Sequence, residues 1–222
     1  QGEMLVVIGP NGAGKTTLFN LVSGVIAPTS GTIRLAGRDV THEQIHRRAR
    51  AGLGRTFQTS SLFNGLTALE NVRLAAQVEL GGSVSIVRFP HAGDRATTIA
   101  RERLDEVGLL HHAATDAGVL SHGDKRKLEI AMLLAADPTV ILLDEPMAGV
   151  ASGDVPGLVE VIRGLHKYAG RTVLMVEHHI DVVLGLVDRV AVMHHGQLLA
   201  DGTPEEVMAD PAVQGAYLGD AA

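Results

Sequence analysis

Nine residues near the start of the chain, GPNGAGKTT at positions 9–17, restrict the possible fold more than any other segment. They fit the pattern G-x-x-x-x-G-K-[ST] in full, and they stand between the apolar run Met4-Leu-Val-Val-Ile8 and a helical segment from Leu18 to Ser23. Five consecutive apolar residues suit a strand buried on both faces of a parallel sheet. Glycines at 9, 12 and 14 allow successive N–H groups to turn inward towards phosphate oxygens. The helix that follows adds the positive end of its dipole. Lys15 is expected to reach the β- and γ-phosphates of a nucleotide, and Thr16 to offer its hydroxyl to Mg²⁺. Asn11, Gly12, Ala13, Gly14, Lys15, Thr16 and Thr17 are therefore the candidate nucleotide-binding residues. The fold expected is α/β with a mainly parallel sheet.

A phosphate loop needs a metal-holding carboxylate at the end of a neighbouring strand. Val140-Ile-Leu-Leu143 reads as such a strand, and Asp144-Glu145 follow it directly. Charge at the carboxyl end of a buried strand lies where α/β sheets hold their ligands. An isolated Asp-Glu pair is more often a solvated turn. Beside a matched phosphate loop, Asp144 is expected to hold Mg²⁺ and Glu145 to orient and deprotonate an attacking water.

Composition excludes several other classes. The chain has 222 residues, enough for one generous domain or a core with an inserted subdomain. It has no cysteine, which excludes a disulfide framework or a thiolate metal cage and suits a reducing compartment. A net charge of −6 argues against nucleic acid as a partner. No apolar run is long enough to cross a bilayer, and no signal peptide precedes the first strand. The adjacent histidine pairs 111–112, 178–179 and 194–195 are expected to point apart and not to chelate, which leaves Mg²⁺ as the only metal expected.

Three further segments narrow the class. Arg55-Thr-Phe-Gln58 presents a glutamine, Leu120-Ser-His-Gly-Asp124 precedes a helical pattern expected over Lys127–Ala136, and the strand Val173–Val176 ends in Glu177-His178-His179. Taken singly, Gln58 is a surface residue, Ser121 a helix cap and His178 a strand end. In this order, together with the phosphate loop and the acidic pair, they resemble the nucleotide-binding subunits of ABC transporters over essentially the whole chain. The resemblance implies an ATPase in which two subunits close around two Mg-ATP. It implies that Gln58 touches the metal or the lytic water, that Ser121 and Gly123 contact the γ-phosphate held by the opposite subunit, and that His178 helps to place Glu145. The runs RTFQTSSLFNGLTALENV, LLDEPMAGV, VEHHIDVVLGLVDRV and DPAVQGAYLG are similar to the branched-chain amino acid importer ATPases. Members of the same branch serve urea, short amides or lipopolysaccharide. The implied partners are a second ATP-binding subunit, identical or not, transmembrane permease subunits and, indirectly, an extracytoplasmic solute-binding protein. The implied location is the cytoplasmic face of the membrane.

Several residues depart from the family's pattern. His122 and Asp124 replace the glycine and glutamine of the signature, and Ala151 stands where an aspartate commonly crosses the dimer interface. The resemblance places the aromatic residue that stacks on adenine upstream of the phosphate-loop strand, outside these 222 residues. A central strand so close to residue 1 implies that N-terminal strands are missing. The expected organisation is one nucleotide-binding domain over 1–222, with 1–58 and 137–222 as ATPase core and 59–136 as an inserted helical subdomain carrying the signature. Within that subdomain helices are expected over Leu66–Leu80 and Asp94–Val107. Elsewhere a half-exposed strand is expected over Gly31–Gly37, a solvated basic helix over Thr41–Arg50, a helix over Ile180–Leu186 and a final helix from Pro204.

Overall fold

The computed structural model describes residues 2–56, 62–81, 94–167 and 170–219. The chain divides into two compact units, one of Gln1–Arg55, Thr139–Pro146 and Leu165–Ala222, the other of Thr56–Pro138 and Met147–Gly164. In chain order the first stretch holds β1 (Met4–Ile8), α1 (Lys15–Ser23), β2 (Arg34–Leu35), β3 (Arg38–Asp39), α2 (Ile45–Arg50) and β4 (Leu53–Arg55). Then come α3 (Ala68–Glu79), α4 (Arg95–Glu106), α5 (His122–Leu134), β5 (Val140–Asp144) and α6 (Val155–Lys167). The chain continues with β6 (Thr172–Val176), α7 (Ile180–Val183), β7 (Arg189–His194), β8 (Gln197–Gly202), α8 (Pro204–Ala209) and α9 (Pro211–Gly219).

The first unit is built on a sheet of strand order β4-β5-β6-β1-β7-β8, in which β8 alone runs antiparallel to its neighbour. Its central strands β1, β5, β6 and β7 are short and largely buried. Val7, Phe19, Leu35, Val40, Leu53, Leu142, Val176 and Ala191 form one buried cluster. Register decides where the chemistry falls. Val176 pairs with Val7 on one side and Asp144 on the other. The residues that leave β5 and β6 at their carboxyl ends, Glu145 and Glu177, therefore emerge level with each other and with Ile8, one residue before Gly9.

Some elements differ from the sequence-based expectation. The strand expected over Gly31–Gly37 is only the two-residue pair of β2 and β3, closed by Ala36 and Gly37 at φ of 48° and 80°. Positive φ at both central residues makes the two-residue turn that reverses the chain here. The helix expected over Ile180–Leu186 stops at Val183, and the final helix is two, broken at Asp210 ahead of Pro211. The basic helix starts at Ile45, and it is not wholly solvated. Arg48 is 1% exposed. Its Nη1 donates to the carbonyls of Leu21 at 2.6 Å and Val22 at 2.7 Å, and its Nη2 to that of Thr41 at 2.9 Å. A guanidinium there satisfies the open carbonyls of α1 and opposes the negative end of its dipole. The turn that follows is glycine for the same reason, since a Cβ on Gly24 would meet Arg48 Nε at 2.9 Å.

The second unit is helical. Helix α3 packs on α4 and α5, and small buried residues (Ala68, Ala76, Ala96, Ala100 and Ala131) allow the close approach. The starts of α3, α4 and α5 are sealed. Thr67 and Glu70 form a reciprocal capping box on α3, Asp94 caps α4, and the Ser121 hydroxyl accepts from the Asp124 amide at 3.1 Å on α5. That cap starts α5 at His122, five residues ahead of the expected Lys127. Asn71, fully buried, fastens the preceding loop by donating to the carbonyls of Phe63, Leu66 and Thr67 and accepting from the Phe63 amide. Met147–Gly164 falls in this unit, whereas the sequence-based division gave it to the ATPase core. The reason is contact with α5: a Cβ on Gly123 would lie 2.6 Å from that of Asp154, and one on Gly157 would lie 3.2 Å from Lys127 Nζ.

Candidate phosphate-binding and hydrolytic site

The loop after β1 folds back on itself. Gly9 has φ 151°, a conformation essentially restricted to glycine, and it lies so close to β7 that a Cβ would stand 2.2 Å from the Met193 carbonyl oxygen. Gly14 caps α1 in the left-handed conformation at φ 99°. The Gly196 amide donates to the Ala13 carbonyl at 3.0 Å, which pins the loop to the turn between β7 and β8. Lys15 is buried, and its ammonium donates to the carbonyls of Gly9 at 2.6 Å and Pro10 at 3.0 Å. Burial lowers its pKa below the usual lysine value, and the Glu145 carboxylate partly offsets this.

Asn11, Gly12, Ala13, Gly14, Lys15, Thr16 and Thr17 line a cleft of about 220 Å³, and Glu145 and His178 complete its wall. All the candidate loop residues thus share one space with the acidic and imidazole groups read from β5 and β6. Glu145 is held at φ 47°, a rare backbone state for a residue with a side chain, and its amide donates to the Val176 carbonyl at 2.9 Å. That turn swings its carboxylate into the cleft, where Oε1 lies 3.1 Å from His178 Nε2. His178 is set in turn by Glu177. Glu177 is 2% exposed, and its carboxylate accepts the amides of His178 at 2.9 Å and His179 at 3.2 Å. Glu177 was visible in the sequence only as the residue that ends an apolar run.

Asp144 is buried at the end of β5, and its Oδ2 accepts from Arg55 Nη2 at 2.9 Å. The Thr16 hydroxyl side chain is exposed at the start of α1. Both offer hard oxygen donors, and no sulfur ligand exists in a chain without cysteine apart from thioethers, so the donor chemistry fits Mg²⁺. Ser121 and Gly123 belong to the second unit, at the start of α5, and stand outside this grouping. Gln58 lies outside the described residues. The neighbouring histidines do not point apart as expected: ring centroids of His111 and His112 are 4.1 Å apart, and those of His194 and His195 4.0 Å. Among the described residues no helix is long and apolar enough to cross a membrane.

A family model described as ABC transporter matches residues 1–148, and one described as branched-chain amino acid ATP-binding cassette transporter matches residues 197–222. The chain is 40% identical, over 100% of its length and 89% of the relative's, to the high-affinity branched-chain amino acid transport ATP-binding protein LivG of Salmonella typhimurium. It is 39% identical to the high-affinity branched-chain amino acid transport ATP-binding protein BraF of Pseudomonas aeruginosa, over 100% of this chain and 89% of that protein. The crystal structure of the ADP conformation of MJ1267, an ATP-binding cassette of an ABC transporter, superposes with a TM-score of 0.86 at 32% identity, covering 99% of this chain and 89% of that one. A dimeric post-hydrolysis structure of the ATP-binding cassette MJ0796 with ADP and Pi gives a TM-score of 0.74 at 26% identity, covering 91% and 86%. A phosphate loop, an acidic strand end and a histidine around one cleft, on this sheet, define an ATPase of the cassette type. The chain belongs to the ABC transporter family.

Proposed function

We propose that this ATPase is the motor of an importer for branched-chain amino acids. It works at the cytoplasmic face of the membrane, paired with a second ATP-binding subunit and seated on permease subunits that a solute-binding protein supplies with cargo. The observation that carries the hydrolytic part is the convergence of Lys15, Glu145 and His178 on the one cleft. The cargo is supported by the names of the full-length relatives and by the match at residues 197–222.

On ATP binding, the loop amides take up the phosphates, and Lys15 exchanges the Gly9 and Pro10 carbonyls for phosphate oxygens. Thr16, Asp144 and Gln58 would hold Mg²⁺, which would supply neutralisation of the phosphate charge. Glu145 accepts a proton from water as the water oxygen attacks the γ-phosphorus and ADP leaves. His178 keeps the Glu145 carboxylate facing the cleft and donates towards the γ-phosphate. Ser121 and Gly123, at the positive end of α5, cover the nucleotide bound by the partner subunit. The unit of Gln1–Arg55, Thr139–Pro146 and Leu165–Ala222 serves as the catalytic core, and the helical unit as the signature-bearing arm.

The test is reconstitution of the chain with its permease subunits in vesicles. ATP hydrolysis that rises with solute-binding protein loaded with leucine, isoleucine or valine, and not with urea, is expected. Stimulation by urea or an amide alone would overturn the cargo assignment.

A further inference from the structure

Arg55, the last residue of β4, is 9% exposed in its side chain and lies among polar groups the sequence never placed near it. Its Nη2 donates to Asp144 Oδ2 at 2.9 Å, and its Nη1 donates to Asn20 Oδ1 at 2.8 Å and to Ser23 Oγ at 2.7 Å. The guanidinium carbon also stands 5.7 Å from the centre of the Phe19 ring. The Ser23 hydroxyl has spent its own proton on the Phe19 carbonyl at 2.7 Å, so its oxygen is available only as an acceptor for Arg55. All these residues belong to the first unit.

The two anchors of this guanidinium are not arbitrary elements. Asn20 and Ser23 lie on α1, the helix whose first turn carries Thr16, and Asp144 ends β5. One planar fork therefore spans the helix and the strand that carry the two described oxygen donors of the metal site. We propose that Arg55 is a positioning residue for Mg²⁺: it fixes the Asp144 carboxylate relative to the start of α1, so that the metal meets a preformed pair of donors. The inference rests on Asp144 being a metal-holding residue. A mere counter-charge for Asp144 needs no fork, and lysine would serve equally well. Reaching acceptors on two elements at once needs the rigid, multiply donating guanidinium, which an ammonium on a flexible stem does not reproduce. Groups that orient metal-holding side chains from behind change metal affinity by about 10–100-fold when removed.

The test measures binding of a fluorescent ATP analogue, first in EDTA and then across a Mg²⁺ titration, for wild type, Arg55→Met, Arg55→Lys and Asp144→Asn. Arg55→Met is expected to raise the Mg²⁺ concentration for half-maximal enhancement by about tenfold or more while leaving the EDTA affinity unchanged. Arg55→Lys is expected to shift with Arg55→Met, because charge without the fork does not position the carboxylate. If Arg55→Met does not fold, Asn20→Ala combined with Ser23→Ala removes the helix anchors alone and is expected to shift in the same direction. A wild-type Mg²⁺ requirement in these variants would overturn the proposal. So would an equal loss of affinity in EDTA, which marks a purely structural role, or wild-type behaviour in Arg55→Lys. An unchanged Mg²⁺ requirement in Asp144→Asn would instead overturn the metal role of Asp144 on which the proposal stands.

Discussion

Replacing Gly9 by alanine should be far more costly than the same change three residues away at Gly12. At Gly9 two penalties combine. The backbone sits at φ 151°, where a side chain is strained, and the new methyl would fall 2.2 Å from the Met193 carbonyl oxygen and 3.1 Å from Ala13 Cβ. Met193 cannot rotate that oxygen away, because it is backbone in β7, the strand that pairs with β1 up to Ile8 and Val192. Strain and overpacking of this kind sum to about 2–6 kcal/mol. At Gly12 the φ is 79° and nothing lies within 4 Å of an added Cβ. Only the left-handed penalty applies there, about 1–2 kcal/mol. Set against a typical domain stability of about 5–15 kcal/mol, Gly9→Ala should leave the fold marginal and Gly12→Ala should not. Urea unfolding followed by far-UV circular dichroism, the chain having no tryptophan, reads the difference as a lower midpoint for Gly9→Ala at unchanged slope. Equal midpoints for the two variants would refute the close packing of the loop against β7.

Three other outcomes follow from the same geometry. Arg48→Met should destabilise by about 2–4 kcal/mol in the same urea assay, because the Val22 and Thr41 carbonyls lose a donor and Leu21 keeps only the Gly24 amide. The Glu70 carboxylate is held below its usual pKa by the backbone and hydroxyl hydrogen bonds of Thr67. Its stabilisation is present above the unfolded value near pH ~4.3 and is lost as pH falls through the lower folded value, so Glu70→Gln should flatten the acid limb of a stability–pH curve. His178→Ala should slow ATP turnover by about 10²–10⁴-fold at little cost in ATP affinity, read by single-turnover hydrolysis beside equilibrium binding.

Groups that act within a few residues of one another were legible in the sequence. The phosphate loop, its flanking strand and helix, and the acid pair at the end of β5 are local patterns, and the loop and Glu145 line one cleft. The cap at Ser121 was legible for the same reason. What stayed hidden depends on partners distant in the chain. Arg48 looked like one member of a solvated basic helix, yet its acceptors Leu21 and Val22 are 27 and 26 residues away. Arg55 and Asp144 are 89 residues apart and meet only because β4 and β5 are neighbours in the sheet. Periodicity misled where a break fell inside an apolar pattern, as at Pro211 in the final helix.

The central claim is a hydrolytic site that Glu145 serves as base and that a second subunit completes. Its most direct test is Mg²⁺-dependent ATP hydrolysis measured against protein concentration, for the wild type beside Glu145→Gln. Wild-type activity should rise faster than linearly with concentration. Glu145→Gln should bind ATP, hydrolyse almost none and elute as a stable dimer with ATP present. Strictly proportional activity, or turnover that survives the substitution, would contradict it.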